Sequence, residues 1–258
     1  MNILVTGYKG FIGKNMVNSL NHNLILYDYG DQLPDFKNLN LVIHLGANSS
    51  TTETDVDKIF TQNYDFSCMI LDLCKTHKVN LQYASSASVY GKLKEFKEDG
   101  AVNPQSPYAW SKYLFDRVVT SQNFKEITVQ GFRYFNVYGE YEDHKGNQAS
   151  PFYQFAKQAK ETGEIILFEN SENYHRDFVH VSKIIDVHKH FFNIKESGIW
   201  NIGTGQTQSF YDVAKYIANK HNAQIKFIPM PNNVKLQYQE YTCADLTKLK
   251  KYMNINGL

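Results

Sequence analysis

Residues 2–13 decide how the rest of the chain is interpreted, and they read Asn2-Ile3-Leu4-Val5-Thr6-Gly7-Tyr8-Lys9-Gly10-Phe11-Ile12-Gly13. The apolar run up to Thr6 predicts a strand buried on both faces, and the amphipathic stretch to Leu20 predicts a helix. The glycines between them let backbone N–H groups approach an anion at the helix N-terminus. The spacing is G-x-x-G-x-x-G and not the usual G-x-G-x-x-G, so a plain tight turn is the alternative. The residues expected to cradle a dinucleotide phosphate are Gly7, Tyr8, Gly10, Phe11, Ile12 and Gly13.

Asp28 ends the second predicted strand, Leu24–Tyr27. A carboxylate at that place can accept hydrogen bonds from an adenosine ribose and repels a 2′-phosphate. No Lys or Arg lies between Asp28 and Lys37 to attract that phosphate. The local chemistry therefore favours NAD over NADP, although a base from another segment could fold over.

The third apolar run, Leu41–Leu45, predicts another strand, and it ends in Gly46-Ala47. We expect Leu45, Gly46 and Ala47 to contact the cofactor, because ligands of open α/β sheets bind at the carboxyl ends of strands. The segment between Asp28 and His44 is too short for a strand and two helices, so we expect a loop there.

The longest helical pattern runs from Asp55 to Lys75. Asn63 lies in its middle, and the pattern alone leaves open whether it is an exposed helix residue or a functional one.

The next strand, Leu81–Ala84, continues into Ser85-Ser86-Ala87-Ser88, which places small hydroxyl residues at a strand end. Tyr108 and Lys112 follow, on a helix predicted from Tyr108 to about Gln122. Residues four apart share a helix face, so the ammonium can favour the phenolate, which can take a proton from an alcohol. The same spacing recurs elsewhere in the chain, so the position after the serine strand end carries the interpretation.

Strands and helices alternate up to the strand predicted at Ile127–Phe132. This alternation predicts an α/β protein with a Rossmann-like, doubly wound parallel sheet. From Asn136 the pattern changes to a polar loop and short elements. We expect a small discontinuous α/β substrate domain, formed by residues 141–176 and 204–258. The dinucleotide-binding domain is then 1–140, with 177–203 returning to it. A last short helix is predicted at Asp245–Lys251.

Composition excludes several classes of protein. The 258 residues carry 27 Lys and Arg against 26 Asp and Glu, a net charge of +1, which gives no reason to expect a nucleic-acid or anionic-membrane partner. No apolar run is long enough for a signal peptide or a membrane span. Three cysteines without metal spacing indicate reduced thiols in the cytoplasm. His188 and His190 are interpreted as packing residues, and no metal site is expected.

Several of these stretches together resemble the extended short-chain dehydrogenase/reductase family, and the resemblance covers most of the chain. They are Thr6–Gly13, Ser85–Gly91 and the pair Tyr108/Lys112, which occur in that family's order. Six further stretches are similar to its ADP-heptose 6-epimerases: His44–Asp55, Gly131–Gly139, His144–Ser150, Leu167–Val181, Asn201–Phe210 and Cys243–Leu249.

The resemblance implies a role for each matching residue. Ser86 would orient the substrate alcohol, Tyr108 would be the acid/base, and Lys112 would assist it. Tyr108 and Lys112 would also contact the cofactor, Lys112 at the nicotinamide ribose. Lys145 would be a second acid/base, and Asn63 would lie near the cofactor. The residues that would contact the substrate are Ser49, Ser86, Asn136, Lys145, Arg176 and Tyr241.

The activity implied is inversion of a carbinol centre by transient oxidation and re-reduction with bound NAD or NADP. Hydride leaves one face of the carbinol carbon and returns to the opposite face of the carbonyl. The two faces require two acid/bases, which gives Tyr108 and Lys145 separate tasks. The implied substrate is a nucleotide-diphosphate sugar, with ADP-glycero-manno-heptose the best match, and the implied assembly is a homo-oligomer. The chain departs from the pattern at Gln237, where those epimerases carry an arginine, in the short segment after Asp28, and in lacking a last helix.

Three alternatives remain. A 4,6-dehydratase needs an Asp-Glu pair where this chain has Ala87-Ser88, which argues against it. A UDP-sugar 4-epimerase, or another nucleotide-sugar oxidoreductase, leaves the His144-Lys145-Gly146 stretch unexplained. A non-catalytic nucleotide-binding protein would not need the set Ser86, Tyr108, Lys112 and Lys145.

Overall fold

The computed structural model describes residues 1–50, 53–231 and 239–254. Within them, a parallel sheet of six strands forms the centre of the molecule. From one edge to the other its strands are Gly198–Ile202 (β10), Val129–Tyr134 (β5), Asn80–Ser86 (β4), Leu41–His44 (β3), Asn2–Thr6 (β1) and Asn23–Tyr27 (β2). The predicted fold class is confirmed.

Helices cover both faces of this sheet and bury apolar clusters against it. They are Phe11–Ser19 (α1), Val56–Ile59 (α2), Phe66–His77 (α3), Pro107–Thr120 (α4) and Val181–Phe191 (α6). The strands β1, β3, β4 and β5 are almost wholly buried, and the sequences of β1 and β3 are accordingly near-continuous apolar runs. The polar side chains of β4 and β5 are buried with hydrogen-bond partners, such as Gln82 with Gln130.

The prediction of a single regular helix over Asp55–Lys75 is wrong in one respect, because the helix is not regular throughout. Residues Phe60–Asp65 form a π-helical segment between α2 and α3. A π turn adds a residue to the helical repeat, so the side chains after it rotate relative to those before it. Asn63 lies in this segment and is 1% exposed, so the exposed alternative is excluded.

The expected loop between the second and third strands is confirmed. The chain leaves β2 and returns on the other side of β1 to form β3, with no regular helix or strand in between. Strand order therefore reverses at β1, whose Thr6 pairs with Tyr27 on one side and with His44 on the other. Such a switch point opens a crevice at the carboxyl ends of the strands.

The second half of the chain contributes smaller elements with an apolar cluster of their own. Helices Pro151–Thr162 (α5) and Phe210–His221 (α7) pack on the pair Glu164–Phe168 (β7) and Gln224–Ile228 (β12). Two further pairs are Asn136–Tyr138 (β6) with Phe178–His180 (β9), and His175–Arg176 (β8) with Gln208–Ser209 (β11). The helix predicted over Asp245–Lys251 is reduced to a 3-10 turn at Leu249–Lys251. Among the described helices, none has the length and apolar character needed to cross a bilayer.

Candidate active site

The glycine turn fits a dinucleotide phosphate. Gly7 has φ +71°, and a Cβ there would lie 2.6 Å from the backbone of Gly46, while a Cβ on Gly13 would lie 2.1 Å from the Gly7 carbonyl oxygen. Only glycine therefore allows β1, β3 and α1 to approach this closely. The N-cap residue of α1, Gly10, supplies no side-chain cap, and the first turn carries no acidic residue. The free N–H groups of that turn are therefore available to an anion.

Asp28 and three aromatic residues line a cavity of about 180 Å³ beside this turn. The Tyr27 and Phe66 rings are stacked at 5.6 Å, and the Tyr29 ring meets the Phe66 ring edge-on at the same distance. Aromatic side chains of this kind offer a flat surface for an adenine base. The sequence pattern missed Phe66 and Tyr29, because apolar spacing gave Phe66 no distinct role.

A base does reach the Asp28 region. The Lys9 ammonium lies 3.7 Å from the Asp31 carboxylate, and the Asp31 Oδ2 accepts a hydrogen bond of 2.9 Å from the Asp28 backbone. Lys9 comes from the glycine turn, so inspection of the sequence after Asp28 could not find it. Both charged side chains are about half exposed, and such pairs contribute little to stability.

Asn63 ties the loop after β3 to the helix that carries Tyr108. Its Oδ1 accepts a hydrogen bond of 2.7 Å from the Asn48 backbone N–H. Its Nδ2 donates to the Asn48 carbonyl at 3.0 Å and to Ser111 Oγ on α4 at 3.1 Å. Asn63 thus fixes the position of the loop that contains Leu45, Gly46 and Ala47.

Tyr108 lies in the first turn of α4, which begins after the N-cap Ser106 with Pro107 at its first position. Burial raises the pKa of the Tyr108 phenol, while a hydrogen bond with the Ser86 side chain lowers it. The net shift is upward. The expected lowering by Lys112 is therefore not seen, and the Lys112 Nζ lies 6.0 Å from the centroid of the Tyr108 ring.

Lys112 is itself almost fully buried, and its Nζ donates a hydrogen bond of 2.9 Å to the Ala84 carbonyl at the end of β4. Burial lowers its pKa to about 8, and the Asp116 carboxylate one turn further along α4 opposes that shift. Asp116 is held by Arg133 at 2.8 Å in an ion pair in which both side chains are at most 3% exposed. The Tyr83 and Ser85 hydroxyls donate to the same carboxylate.

Lys145 lies on the 3-10 segment Asp143–Gln148, far from Tyr108 in sequence. The structure brings its Nζ to 5.0 Å from the centroid of the Phe11 ring, at the start of α1. Burial lowers the pKa of Lys145, and Glu142 opposes the shift. A partly buried amine with a lowered pKa releases its proton more readily than an exposed lysine, which suits a proton donor or acceptor.

One cleft of about 390 Å³ contains most of the predicted residues. Its lining includes Gly7, Gly10, Phe11, Ile12, Gly13, Asp28, Leu45, Gly46, Ala47, Ser49, Tyr108, Lys112 and Lys145. Ser86 borders it through its hydrogen bond to Tyr108. The cleft is lined in addition by Tyr134, whose hydroxyl lies 2.6 Å from His188 Nε2. His188 is fully buried and bonded to Gln82 as well, which confirms its interpretation as a packing residue.

The other predicted substrate residues lie outside this lining. Asn136 begins β6 and accepts a hydrogen bond of 3.2 Å from the Thr242 hydroxyl. Arg176 is 6% exposed and donates to the carbonyls of His175 and Gln239. Tyr241 is 45% exposed and pairs with His175 through an isolated bridge. The predicted cofactor residue Tyr8 lies in the turn between β1 and α1. Gln237, the predicted departure from the family pattern, lies outside the described residues.

A parallel sheet with a glycine turn at its switch point defines the fold of a dinucleotide-binding α/β protein. The chain belongs to the NAD dependent epimerase/dehydratase family, whose model matches residues 28–203. It is 38% identical over 300 residues to an ADP-L-glycero-D-manno-heptose-6-epimerase from Brachyspira hyodysenteriae, with 98% of this chain and 94% of that protein covered. Because the alignment is longer than this chain of 258 residues, the relative carries segments that this chain lacks.

Solved structures agree with this fold. The ADP-L-glycero-D-manno-heptose-6-epimerase of Helicobacter pylori has a TM-score of 0.80 at 25% identity, with 100% of this chain and 96% of that chain covered. A UDP-N-acetylglucosamine 4-epimerase from Methanobrevibacter ruminantium has a TM-score of 0.89 at 21% identity, over 98% of this chain and 92% of that one. The Thermus thermophilus UDP-glucose 4-epimerase, solved with NAD, has a TM-score of 0.82 at 24% identity, over 97% and 92%. The expectations of an enzyme of this family and of an NAD or NADP cofactor are confirmed.

Proposed function

We propose that this enzyme inverts the C6″ carbinol of ADP-glycero-manno-heptose. One observation carries the proposal: the Tyr108 phenol, on a helix, and the Lys145 amine, on a distant segment, line the same cleft as the glycine turn. Inversion through a carbonyl requires a proton acceptor on one side and a proton donor on the other, so two separate acid/bases suit an epimerase better than a simple dehydrogenase. The likeness to the heptose epimerase at 38% identity supports the choice of sugar.

The cofactor is NAD in our proposal, because Asp28 and Asp31 place two carboxylates at its ribose side and the Lys9 ammonium is engaged by one of them. The first turn of α1 would hold the pyrophosphate, the Tyr29 and Phe66 rings the adenine, and Lys112 the nicotinamide ribose. When bound, the cofactor supplies the hydride acceptor and then the hydride donor.

The chain's own residues would move the protons. One base, Tyr108 for one epimer and Lys145 for the other, takes the hydroxyl proton as the carbinol C–H bond breaks and the C=O bond forms. After the carbonyl turns, the other residue returns a proton to oxygen as the new C–H bond forms on the opposite face. Ser86, hydrogen-bonded to Tyr108, would orient the substrate oxygen. Burial lowers the pKa values of Lys112 and Lys145, so both amines release a proton more readily than exposed lysines.

The sugar and diphosphate would be held by residues on the second half of the chain and by Ser49. Asn136 and Tyr241 would contact the sugar, and Arg176 the diphosphate, since a guanidinium binds phosphate oxygens in a bidentate manner. We further propose that the enzyme works in the cytoplasm as a homo-oligomer, with its three cysteines as free thiols.

Incubation with a panel of nucleotide sugars, followed by NMR of the recovered sugar, tests the proposal. We expect inversion at C6″ of ADP-heptose. Inversion at C4″ of a UDP-hexose would instead support the UDP-sugar 4-epimerase, the fold of which is shared at a TM-score of 0.89. No inversion of any sugar, in protein that retains its nicotinamide, would exclude epimerase activity.

A further inference from the structure

Glu142 is an almost fully buried carboxylate that the proposed chemistry does not use. It is 1% exposed and accepts three hydrogen bonds. Its Oε1 accepts from the Gly139 N–H at 3.0 Å and from the Ser150 hydroxyl at 2.7 Å, and its Oε2 accepts from the Ser150 N–H at 2.6 Å. A buried carboxylate is tolerated when it is bonded in this way, and loss of such bonds leaves buried donors unpaired.

These bonds join the two ends of the segment that carries Lys145. Gly139 directly follows β6, and Ser150 is the N-cap of α5. The Glu142 carbonyl also accepts a hydrogen bond of 2.9 Å from the Lys145 N–H, which forms the first turn of the 3-10 segment. The side chain of Glu142 therefore closes residues 139–150 into a loop whose apex carries the Lys145 amine.

Glu142 also acts on Lys145 through its charge. It favours the protonated amine and raises the pKa of Lys145, against the larger lowering by burial. Other titratable groups lining the same cleft are Lys9, Asp28, Tyr108, Lys112 and Tyr134 on other elements, and His144 beside Lys145. Asp143, on the same segment, is exposed and makes no hydrogen bond through its side chain that the described residues show.

We propose that Glu142 is a positioning residue, which fixes the segment 139–150 so that the Lys145 amine faces the substrate cleft. The proposal rests on the proposed function, in which Lys145 serves one of two epimers. The competing interpretation is purely structural: an acidic group near the N-terminus of α5 stabilises that helix by interaction with its dipole. The two differ in what happens to Lys145 when Glu142 is changed.

Glu142→Gln tests the proposal with two readouts. An amide offers one oxygen acceptor where the carboxylate offers two, so at least one of the three donors loses its partner. In single turnovers with each pure ADP-heptose epimer, we expect hydride transfer from one epimer to fall by about 10²-fold, because small misplacement of a catalytic group has effects of that order. The affected epimer should be the one that Lys145→Met also fails to oxidise, while the other epimer and NAD binding stay unchanged.

The second readout does not depend on turnover. Lysine amines labelled by isotopic reductive methylation are titrated by NMR, and the Lys145 signal is assigned by its absence in Lys145→Met. Removal of the negative charge should shift the Lys145 titration toward lower pH in Glu142→Gln. Asp143→Asn removes a charge from the same segment without breaking a hydrogen bond, and it is the matched control for both readouts.

The outcomes separate the two proposals. Equal slowing of both epimers with an unshifted Lys145 titration would make Glu142 structural only and overturn the inference. If wild type inverts no nucleotide sugar, the proposed function fails, and the titration still decides whether Glu142 positions Lys145. If Glu142→Gln does not fold, Ser150→Ala decides instead. It removes the 2.7 Å bond to Glu142 together with the 3.3 Å N-cap bond from the Tyr153 N–H, so the comparison between the two epimers carries the result and not the overall rate. A smaller loss confined to the same epimer supports the inference, and an equal loss for both epimers or none overturns it.

Discussion

Tyr108 and Lys145 occupy opposite kinds of structure. Tyr108 is fixed by a regular helix with its own N-cap and by the buried ion pair between Asp116 and Arg133 two turns further on. Lys145 lies on a 3-10 segment interrupted by Gly146, which has φ 54°. That segment is held by bonds to other elements, such as Gln148 to Ser50.

The difference shows how one site can combine a rigid group and a group set by distant contacts. The helix holds Tyr108 through local interactions, among them the N-cap bond from the Ala109 N–H to the Ser106 hydroxyl. The segment 139–150 depends on Glu142 and on bonds such as Asn15 Nδ2 to the Glu140 carbonyl, at 2.8 Å. Changes to the first region should therefore affect both activity and stability, while removal of the Lys145 amine from the second should affect activity alone.

Tyr108→Phe has the largest expected effect. Loss of the phenolic O–H should lower turnover by about 10²- to 10⁴-fold, the range for a general acid/base. The ring remains, so NAD binding should not change. Steady-state rates and calorimetric titration with NAD measure the two quantities, and full activity in this variant would exclude Tyr108 as the acid/base.

Lys145→Met should reduce inversion by a similar or slightly smaller factor, with no loss of stability, because the segment is fixed by its neighbours and not by this amine. Sugar inversion by NMR and thermal unfolding are the measurements. Lys157→Met, which removes a lysine that is about half exposed on α5, is the control and should behave as wild type.

Asp116→Ala sharpens the contrast in stability. It leaves Arg133 buried without its carboxylate, which should cost about 3–5 kcal/mol of unfolding free energy in urea titrations. Asp72→Ala removes one partner of the exposed pair with Lys75 and should cost less than about 1 kcal/mol. Similar losses in both variants would show that the ion pair does not stabilise the Tyr108 region.

Acid should destabilise the sheet region through two buried histidines. Burial lowers the pKa of both His44 and His188 to about 3, against 6.5 when unfolded. The folded state then binds fewer protons than the unfolded state below about pH 6.5, so the unfolding free energy should fall as pH falls toward 3, with up to about two protons taken up on unfolding. Urea titrations across this range measure the slope. A flat profile in wild type would contradict the expectation that both buried histidines stay neutral in the folded protein.

The first region could largely be predicted from the sequence, because its patterns are local. The strand β1, the glycine turn and α1 follow from apolar runs and glycine spacing, and α4 from Pro107 and the pattern after it. Strand β5 was displaced by two residues from its predicted position, since apolar runs do not define strand ends sharply.

What the sequence could not predict depends on contacts between distant segments. Asn63 became buried because a π turn rotated it toward Asn48 and Ser111, and no periodic pattern signals such a turn. Lys9 reached Asp31 by folding of the glycine turn over the end of β2. The place of Lys145 beside Phe11 could be expected only from the resemblance to a family, because nothing in its own segment points to α1.

The most direct test of the account crosses the two acid/base variants with the two epimers of ADP-heptose in single turnovers, with formation of reduced nicotinamide as the signal. Wild type should oxidise both epimers. Tyr108→Phe should fail with one epimer and Lys145→Met with the other, because each residue serves one face of the carbonyl. If both variants fail with the same epimer, Tyr108 and Lys145 do not divide the proton transfers, and the two-base account is wrong.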